Sequence, residues 1–198
     1  MADLTIPDGV IISDVSISSE HRTYITESIN GKFDARDSGI QRFSGTITLT
    51  AGNGLVQQKA LNSFLMGLKG RLNTIKLLLD GEHSLYTTQV DANPTLAAST
   101  VVGSDIVAAS TTYDIPQGSI FTFANEDKVY TLLEDLNAGA TNYSVSVTPK
   151  VKEVHLIGEQ LNFRTPTFTV ILVDNTTTTQ HNESGLITSA TLDFVERY

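Results

Sequence analysis

Alternation of apolar and polar residues predicts two long strands near the start of the chain. In the segment Gln41 to Thr50, every second residue from Phe43 to Leu49 is apolar or glycine, and serine or threonine lies between them. A period of two is typical of a strand with one buried face, and Val10 to Ile17 is also rich in β-branched residues. The polar segment between them contains Asn30-Gly31, a strong hairpin signal. We therefore expect a hairpin or long loop joining Tyr24 to Ile29 with Lys32 to Ala35.

The period then changes to that of a helix. Apolar residues recur at helical spacing on one face, namely Leu61, Phe64, Leu65 and Leu68. The pattern predicts a helix from about Leu55 to Lys69, with Asn53 as the N-cap and Gly70 as the stop signal. We interpret the apolar face as a core-packing face.

Further strands follow, interrupted by a change of composition near Asp91. The segments are rich in β-branched and aromatic residues and are bounded by turn residues, which is typical of strands. They are Asn73 to Leu79, Ser84 to Val90, Ile120 to Ala124, Lys128 to Leu133, Tyr143 to Val147, Thr167 to Val173 and Leu186 to Val195. Between Thr95 and Thr112 the chain is rich in Ala, Ser and Thr, and no element is predicted there.

The order of these segments predicts a discontinuous first domain with a second domain inserted into it. We expect residues 1–91 and 163–198 to form the first domain, and residues 92–162 to form a small inserted β-barrel. The fold class is therefore mainly β with one flanking helix.

Composition excludes several kinds of function. The chain has 198 residues, no cysteine and a formal net charge of −9. Without cysteine there are no disulfides, thiolate zinc sites or cysteine nucleophiles. The negative charge opposes tight nucleic-acid binding, which depends on Lys and Arg. We also expect no signal peptide and no membrane span, because no apolar run approaches the roughly 20 residues required.

Residues capable of chemistry are present, but their spacing predicts no active site. The four histidines, His21, His83, His155 and His181, lack metal-ligand spacing, and we expect each of them in a solvated loop. The adjacent pairs Glu126-Asp127 and Glu134-Asp135 do not establish the through-space separation of a glycosidase pair. Gly52-x-Gly54 lacks the rest of a phosphate-binding loop. We predict no enzyme activity and no catalytic, cofactor or metal-binding residue.

Several segments together are similar to one known family. They are Pro116 to Phe123, Asp127 to Thr131, Val147 to Val151, Pro166 to Leu172 and Leu186 to Glu196. In order and spacing they resemble the distal tail proteins of siphophages, often abbreviated Dit, over roughly residues 116–198. The helix and strand from Leu55 to Leu79 fit that family's first half more loosely.

This resemblance implies a fold and a role. The first domain would be a β-sandwich of the tail-tube and baseplate-hub type, and the inserted barrel would be similar to an oligonucleotide/oligosaccharide-binding (OB) fold. The protein would be a virion component, made in the host cytoplasm, that forms a hexameric ring at the tail tip. Its partners would be copies of itself, the tail-tube protein and the tail-tip hub protein, with DNA only in transit. An acidic channel would let DNA pass without binding.

Two alternatives remain open at this point. A tail-tube subunit would have the same hub fold, but its extra domain is typically at the C-terminus rather than inserted. A carbohydrate-binding module would need exposed aromatic rings for stacking on sugars. Because the chain has no tryptophan, those rings would be Tyr86, Tyr113, Tyr130 or Tyr143.

Overall fold

A computed structural model describes residues 1–52, 54–78, 92–139, 141–181 and 188–197. Over these residues the protein is mainly β, with thirteen strands and one helix, and it divides into two compact units. The first unit comprises Met1–Glu20, Arg42–Leu77 and Phe168–Tyr198, and the second comprises His21–Gln41 and Leu78–Thr167, in each case excepting the residues outside the described ranges. The elements in chain order are β1 Asp3–Thr5, β2 Val10–Glu27, β3 Phe33–Ala51, α1 Leu55–Leu68, β4 Thr74–Leu78, β5 Thr95–Leu96, β6 Ile106–Ser110, β7 Ile120–Phe123, β8 Val129–Leu132, β9 Tyr143–Thr148, β10 Leu161–Asn162, β11 Thr167–Leu172, β12 Thr178–His181 and β13 Thr188–Glu196.

A mixed sheet forms the first unit. Its strand order is β1-β4-β11-β13-β3-β2, and β12 also pairs with β13. The alternation predicted in β3 is present from Ile47 onward, since Ile47 and Leu49 are fully buried while Thr48 between them is partly exposed. The antiparallel partner β13 places Leu192 opposite Ile47 and Phe194 opposite Gly45. This strand pair therefore lies at the centre of the unit's core.

The predicted helix is confirmed as α1 and is one residue shorter than expected. Leu61, Phe64, Leu65 and Leu68 are all buried, as the apolar face predicts. Helix α1 ends with Lys69 in the left-handed conformation, and Gly70 follows with a φ of 63°. Gly54 stands at the N-cap position, whereas the predicted cap Asn53 lies outside the described residues.

The second unit contains a nearly closed, six-stranded antiparallel barrel. Its strand order is β10-β7-β8-β9-β6-β5. A bridge between Thr95 and Gln160 brings the two edge strands, β5 and β10, close together. Aromatic side chains fill the core, where Phe121 packs against Tyr130 and Phe163. The Ala-rich segment between residues 95 and 112, for which no element was predicted, supplies β5 and β6.

The two ends of the barrel segment lie next to each other. The backbone N–H of Arg164 donates to Oδ1 of Asn93 at 3.4 Å, and Leu161 N–H donates to the Pro94 carbonyl at 2.9 Å. The chain therefore enters and leaves the barrel at one place. The boundary predicted at residue 91 and the strand predicted at Ser84 to Val90 lie outside the described residues.

One boundary differs from the prediction. Residues 21–41 were expected in the first domain, but they group with the barrel in the second unit. Strands β2 and β3 are each much longer than the predicted segments and continue through this region. Five strands, β1, β5, β6, β10 and β12, were not predicted.

Candidate functional site

Residues 21–37 lie within the longest run of exposed residues in the described part of the chain, and they form a hairpin that we call the exposed hairpin. Every residue in it is solvent-exposed, so neither face of this two-stranded ribbon is covered. The hairpin predicted at Asn30-Gly31 is confirmed. Gly31 N–H donates to the Ser28 carbonyl at 2.8 Å, and Ser28 N–H donates to the Lys32 carbonyl at 2.9 Å. Gly31 has a φ of 72°, which favours glycine at this turn position.

Large apolar side chains lie on this hairpin despite its exposure. They are Tyr24, Ile25, Ile29 and Phe33, and each is at least 66% exposed. Tyr24 and Ile25 are consecutive in a strand, so their side chains point to opposite faces. An isolated two-stranded ribbon is at best marginally stable in water, and exposed apolar clusters commonly mark interaction sites. The exposed hairpin is therefore a candidate assembly surface.

The charge of the exposed hairpin also differs from that of the whole chain. Its three basic residues are matched by three acidic ones, namely Arg22, Lys32 and Arg36 against Glu27, Asp34 and Asp37. The chain as a whole has a formal net charge of −9. Two copies of an acidic chain repel each other least at a surface where basic and acidic residues are equal in number. Self-association through the exposed hairpin is therefore opposed by little electrostatic repulsion.

A buried lysine holds the end of this region within the second unit. Lys128 is fully buried, and its Nζ donates to the Gln41 backbone carbonyl at 3.1 Å and to the Gln41 side-chain oxygen at 2.9 Å. Burial of an ammonium group is costly unless hydrogen bonds replace its hydration. The contact therefore fixes Gln41, which closes the hairpin region, against the start of β8.

A second group of polar side chains is buried inside the barrel unit. His155 was expected in a solvated loop, but it is 2% exposed, and its ring stacks on Phe123 with centroids 3.6 Å apart. Its Nε2 lies 3.0 Å from Oε2 of Glu126, and its Nδ1 lies 3.1 Å from Oε1 of Glu159. The Tyr130 hydroxyl donates to the Glu126 carboxylate at 2.8 and 2.9 Å. We call His155, Glu126, Glu159 and Tyr130 the histidine network.

The surroundings of Glu126 favour its protonated form. Burial raises the pKa of the Glu126 carboxyl above its usual value, and the hydrogen bonds from Tyr130 and His155 offset this only in part. The side chains of His155 and Glu126 are only 3% and 7% exposed. The network is therefore able to hold a proton away from bulk solvent, but it presents almost no surface to a substrate.

The other residues considered for chemistry lie apart from this network. His21 and His181 are exposed, the latter in β12, and His83 lies outside the described residues. Glu134 accepts a hydrogen bond from Ser146, and Asp135 accepts one from Gln117 N–H. Within the described ranges no group of His, Asp or Glu side chains is arranged to hold a metal ion. None of the described helical segments is long and apolar enough to cross a bilayer.

The tyrosines considered for sugar stacking do not form a common platform. Tyr130 is fully buried in the barrel core and Tyr113 packs partly against that core, while Tyr143 is 41% exposed in β9. Tyr86 lies outside the described residues. Of the three described rings, only that of Tyr143 offers much of its face to solvent.

Comparison with known proteins adds no family assignment. Neither a scan of protein-family models nor a search of curated proteins finds a match to this chain.

Proposed function

We propose that the protein is a structural subunit without catalytic function, and that it assembles with copies of itself through the exposed hairpin. The observation that carries this proposal is the exposure of both faces of residues 21–37 together with four large apolar side chains. Burying one such side chain contributes about 1.5–3 kcal/mol, so a neighbouring copy that covers several of them gains a substantial free energy. The balanced charge of the exposed hairpin removes the main electrostatic obstacle.

Backbone hydrogen bonding supports the same proposal. In the described part of the chain, strand β2 lies at the end of the strand order of the first sheet. An edge strand of this length presents a row of N–H and carbonyl groups that a strand of another molecule can pair with. Cyclic assembly of identical subunits satisfies such edges without leaving any subunit at an end.

We further propose that the assembly is a ring, most simply a hexamer, at the distal end of the tail tube of a long-tailed phage. The support is the ordered set of segments that resembles the distal tail family. The barrel whose two ends meet at Asn93 and Arg164 suits an inserted domain, which favours this role over that of a tail-tube subunit. In this proposal the first unit belongs to a hub-type sandwich, the barrel is of the OB type, and the subunit contacts tube and tip proteins. DNA then crosses the central channel in transit.

The experiment compares the wild-type chain with the double variant Ile29→Ser, Phe33→Ser by light scattering and negative-stain microscopy over a range of concentrations. We expect concentration-dependent rings for the wild type. Loss of two apolar side chains from each contact weakens association by about 3–6 kcal/mol, or roughly a hundredfold to ten-thousandfold in the dissociation constant. The control Leu133→Ser removes an exposed apolar side chain of the barrel and leaves assembly unchanged.

The outcomes separate the two levels of the proposal. A wild-type chain that stays monomeric at high concentration overturns self-assembly, and a double variant that assembles normally overturns the role of the exposed hairpin. Closed twofold dimers, or rings without a central channel, leave self-assembly in place but contradict the tail-ring role.

A further inference from the structure

We propose that closure of the barrel depends on a single proton held by the histidine network, so that the segment of residues 151–159 is released when that proton is lost. This inference is independent of the proposed assembly. It follows from the number of hydrogens available between His155 and its two carboxylate neighbours.

The hydrogen count is set by the geometry around His155. Each ring nitrogen faces a carboxylate oxygen, Nε2 at 3.0 Å and Nδ1 at 3.1 Å. A neutral imidazole has one N–H, so it can donate to only one of two ionised carboxylates and turns a lone pair toward the other. Both contacts become hydrogen bonds only if one more proton is present, either on the imidazole or on a carboxyl group.

In the described part of the chain, two neighbouring donors, the Tyr130 hydroxyl and the Thr100 backbone N–H, are directed to other acceptors. The Tyr130 hydroxyl hydrogen is directed at Glu126, and its oxygen accepts the Lys152 backbone N–H at 3.1 Å. Thr100, which lies opposite His155, donates its backbone N–H to the His155 carbonyl rather than to the ring. The extra proton therefore belongs to the histidine and the two glutamates together.

Other charges around the network favour retention of this proton. Glu153 adds negative charge near Glu126, and it acts in the direction of protonation. The Phe123 ring lies parallel to the imidazole of His155, with ring centroids 3.6 Å apart, and covers one face of it. Burial acts in the same direction by raising the pKa of Glu126. These surroundings therefore favour the protonated form of the Glu126 carboxyl.

The position of His155 in the barrel links this proton to structure. Residues 151–159 contain no strand. Besides the network, backbone hydrogen bonds connect Val151 to Gly103 and Ser104, His155 to Thr100, and Gly158 and Glu159 to Leu96. Glu126 belongs to the turn between β7 and β8, and Glu159 immediately precedes the Gln160 bridge that nearly closes the barrel. Loss of the proton leaves a buried lone pair facing a buried carboxylate, which favours release of the segment.

The sign of the pH dependence follows from linkage. Opening of the segment releases one proton, so the opening equilibrium increases with pH once the free groups are deprotonated. The increase is at most about tenfold per pH unit for a single proton. At a pH low enough for the released segment to bind the same proton, both states carry it and this contribution is constant.

Hydrogen–deuterium exchange of the full chain between pH 6 and pH 9 tests the proposal, with intrinsic exchange rates corrected by an unstructured reference peptide. We expect the opening equilibrium of peptides within residues 151–159 to rise by up to about tenfold per pH unit. In Glu126→Gln the amide donates to Nε2 without an added proton and still accepts from Tyr130, so this dependence disappears. The control Glu134→Gln removes an exposed barrel carboxylate and keeps the wild-type dependence.

Equal pH dependence in the wild type and in Glu126→Gln overturns the proposal, as does a wild-type segment whose opening does not change with pH. If Glu126→Gln does not fold, Glu159→Gln provides the same test from the other ring nitrogen. If neither variant folds, the wild type still decides. An increase confined to residues 151–159 supports the proton requirement, and an equal increase in β13 of the first sheet overturns it.

Discussion

Replacing glycine by alanine should have opposite effects at two positions of the first unit. At Gly45, in β3, an added Cβ lies 1.9 Å from the carbonyl oxygen of Ser16 and 2.9 Å from Cζ of Phe194. The first of these atoms is backbone of β2, so it cannot move away without separating β2 from β3. Overpacking costs about 1–3 kcal/mol where side chains can yield, so we expect Gly45→Ala to cost about 3 kcal/mol or more.

At Gly67, in α1, the same added methyl group lies 3.6 Å from Cδ1 of Leu4, which is an ordinary van der Waals distance. Alanine is favoured over glycine within a helix by about 1 kcal/mol. We therefore expect Gly67→Ala to stabilise the protein by up to about 1 kcal/mol. The two variants differ from each other by roughly 4 kcal/mol although each adds one methyl group.

Urea denaturation followed by circular dichroism measures both variants against the wild type. We expect the midpoint of Gly45→Ala to fall and that of Gly67→Ala to rise. A Gly45→Ala variant within about 0.5 kcal/mol of the wild type, the usual range for surface substitutions, would refute the close approach of β2 to β3.

Three further substitutions, measured by the same urea denaturation, test contacts that lie within one unit or the other. Phe64→Ala empties a buried position of α1 and should cost about 3–5 kcal/mol, whereas a cost below about 1 kcal/mol would place this side chain outside the core. Thr100→Val replaces a buried hydroxyl that has no hydrogen-bond partner in the described part of the chain, so stability should rise by about 1 kcal/mol, and a loss would show that the hydroxyl is satisfied. Tyr130→Phe removes a donor to Glu126 and an acceptor for Lys152 N–H, and should cost about 1–3 kcal/mol; an unchanged midpoint would mean that neither bond contributes.

The local pattern of apolar and polar residues was sufficient to predict the elements that have one buried face and one exposed face. Strand β3 near Ile47 and helix α1 each bury one face, and that asymmetry is visible in the order of residue types. The exposed hairpin has no such asymmetry, because both of its faces lie in solvent. Its turn was therefore predicted from Asn30-Gly31, while the length of its strands was not.

Strands β5 and β6 escaped prediction for a different reason. Residues 95–112 are rich in alanine, which is depleted in strands, and small alanine side chains such as that of Ala109 occupy buried positions there. The barrel accommodates them because the Phe121, Tyr130 and Phe163 rings fill its interior. A small residue is suited to a core position only when large residues face it, and these come from distant parts of the chain.

The histidine network was missed because its members are brought together by tertiary structure alone. Glu126 precedes His155 by 29 residues, and neither stands in a recognised motif. Glu159 follows His155 at the spacing of a helical pair, but this segment contains no helix. No local signal distinguishes such a buried histidine from the exposed His21 and His181.

The meeting of Asn93 and Arg164 has a consequence for the order in which the protein folds. In the first sheet β4 is adjacent to β11, although the chain between them includes the whole barrel segment. If the barrel folds first, its joined ends shorten the loop that remains between β4 and β11. The free-energy cost of closing that loop then falls by about 1 kcal/mol. The barrel contains antiparallel pairs of low sequence separation, such as β7 with β8, and such pairs form faster than distant ones. Barrel formation should therefore precede the pairing that completes the first sheet.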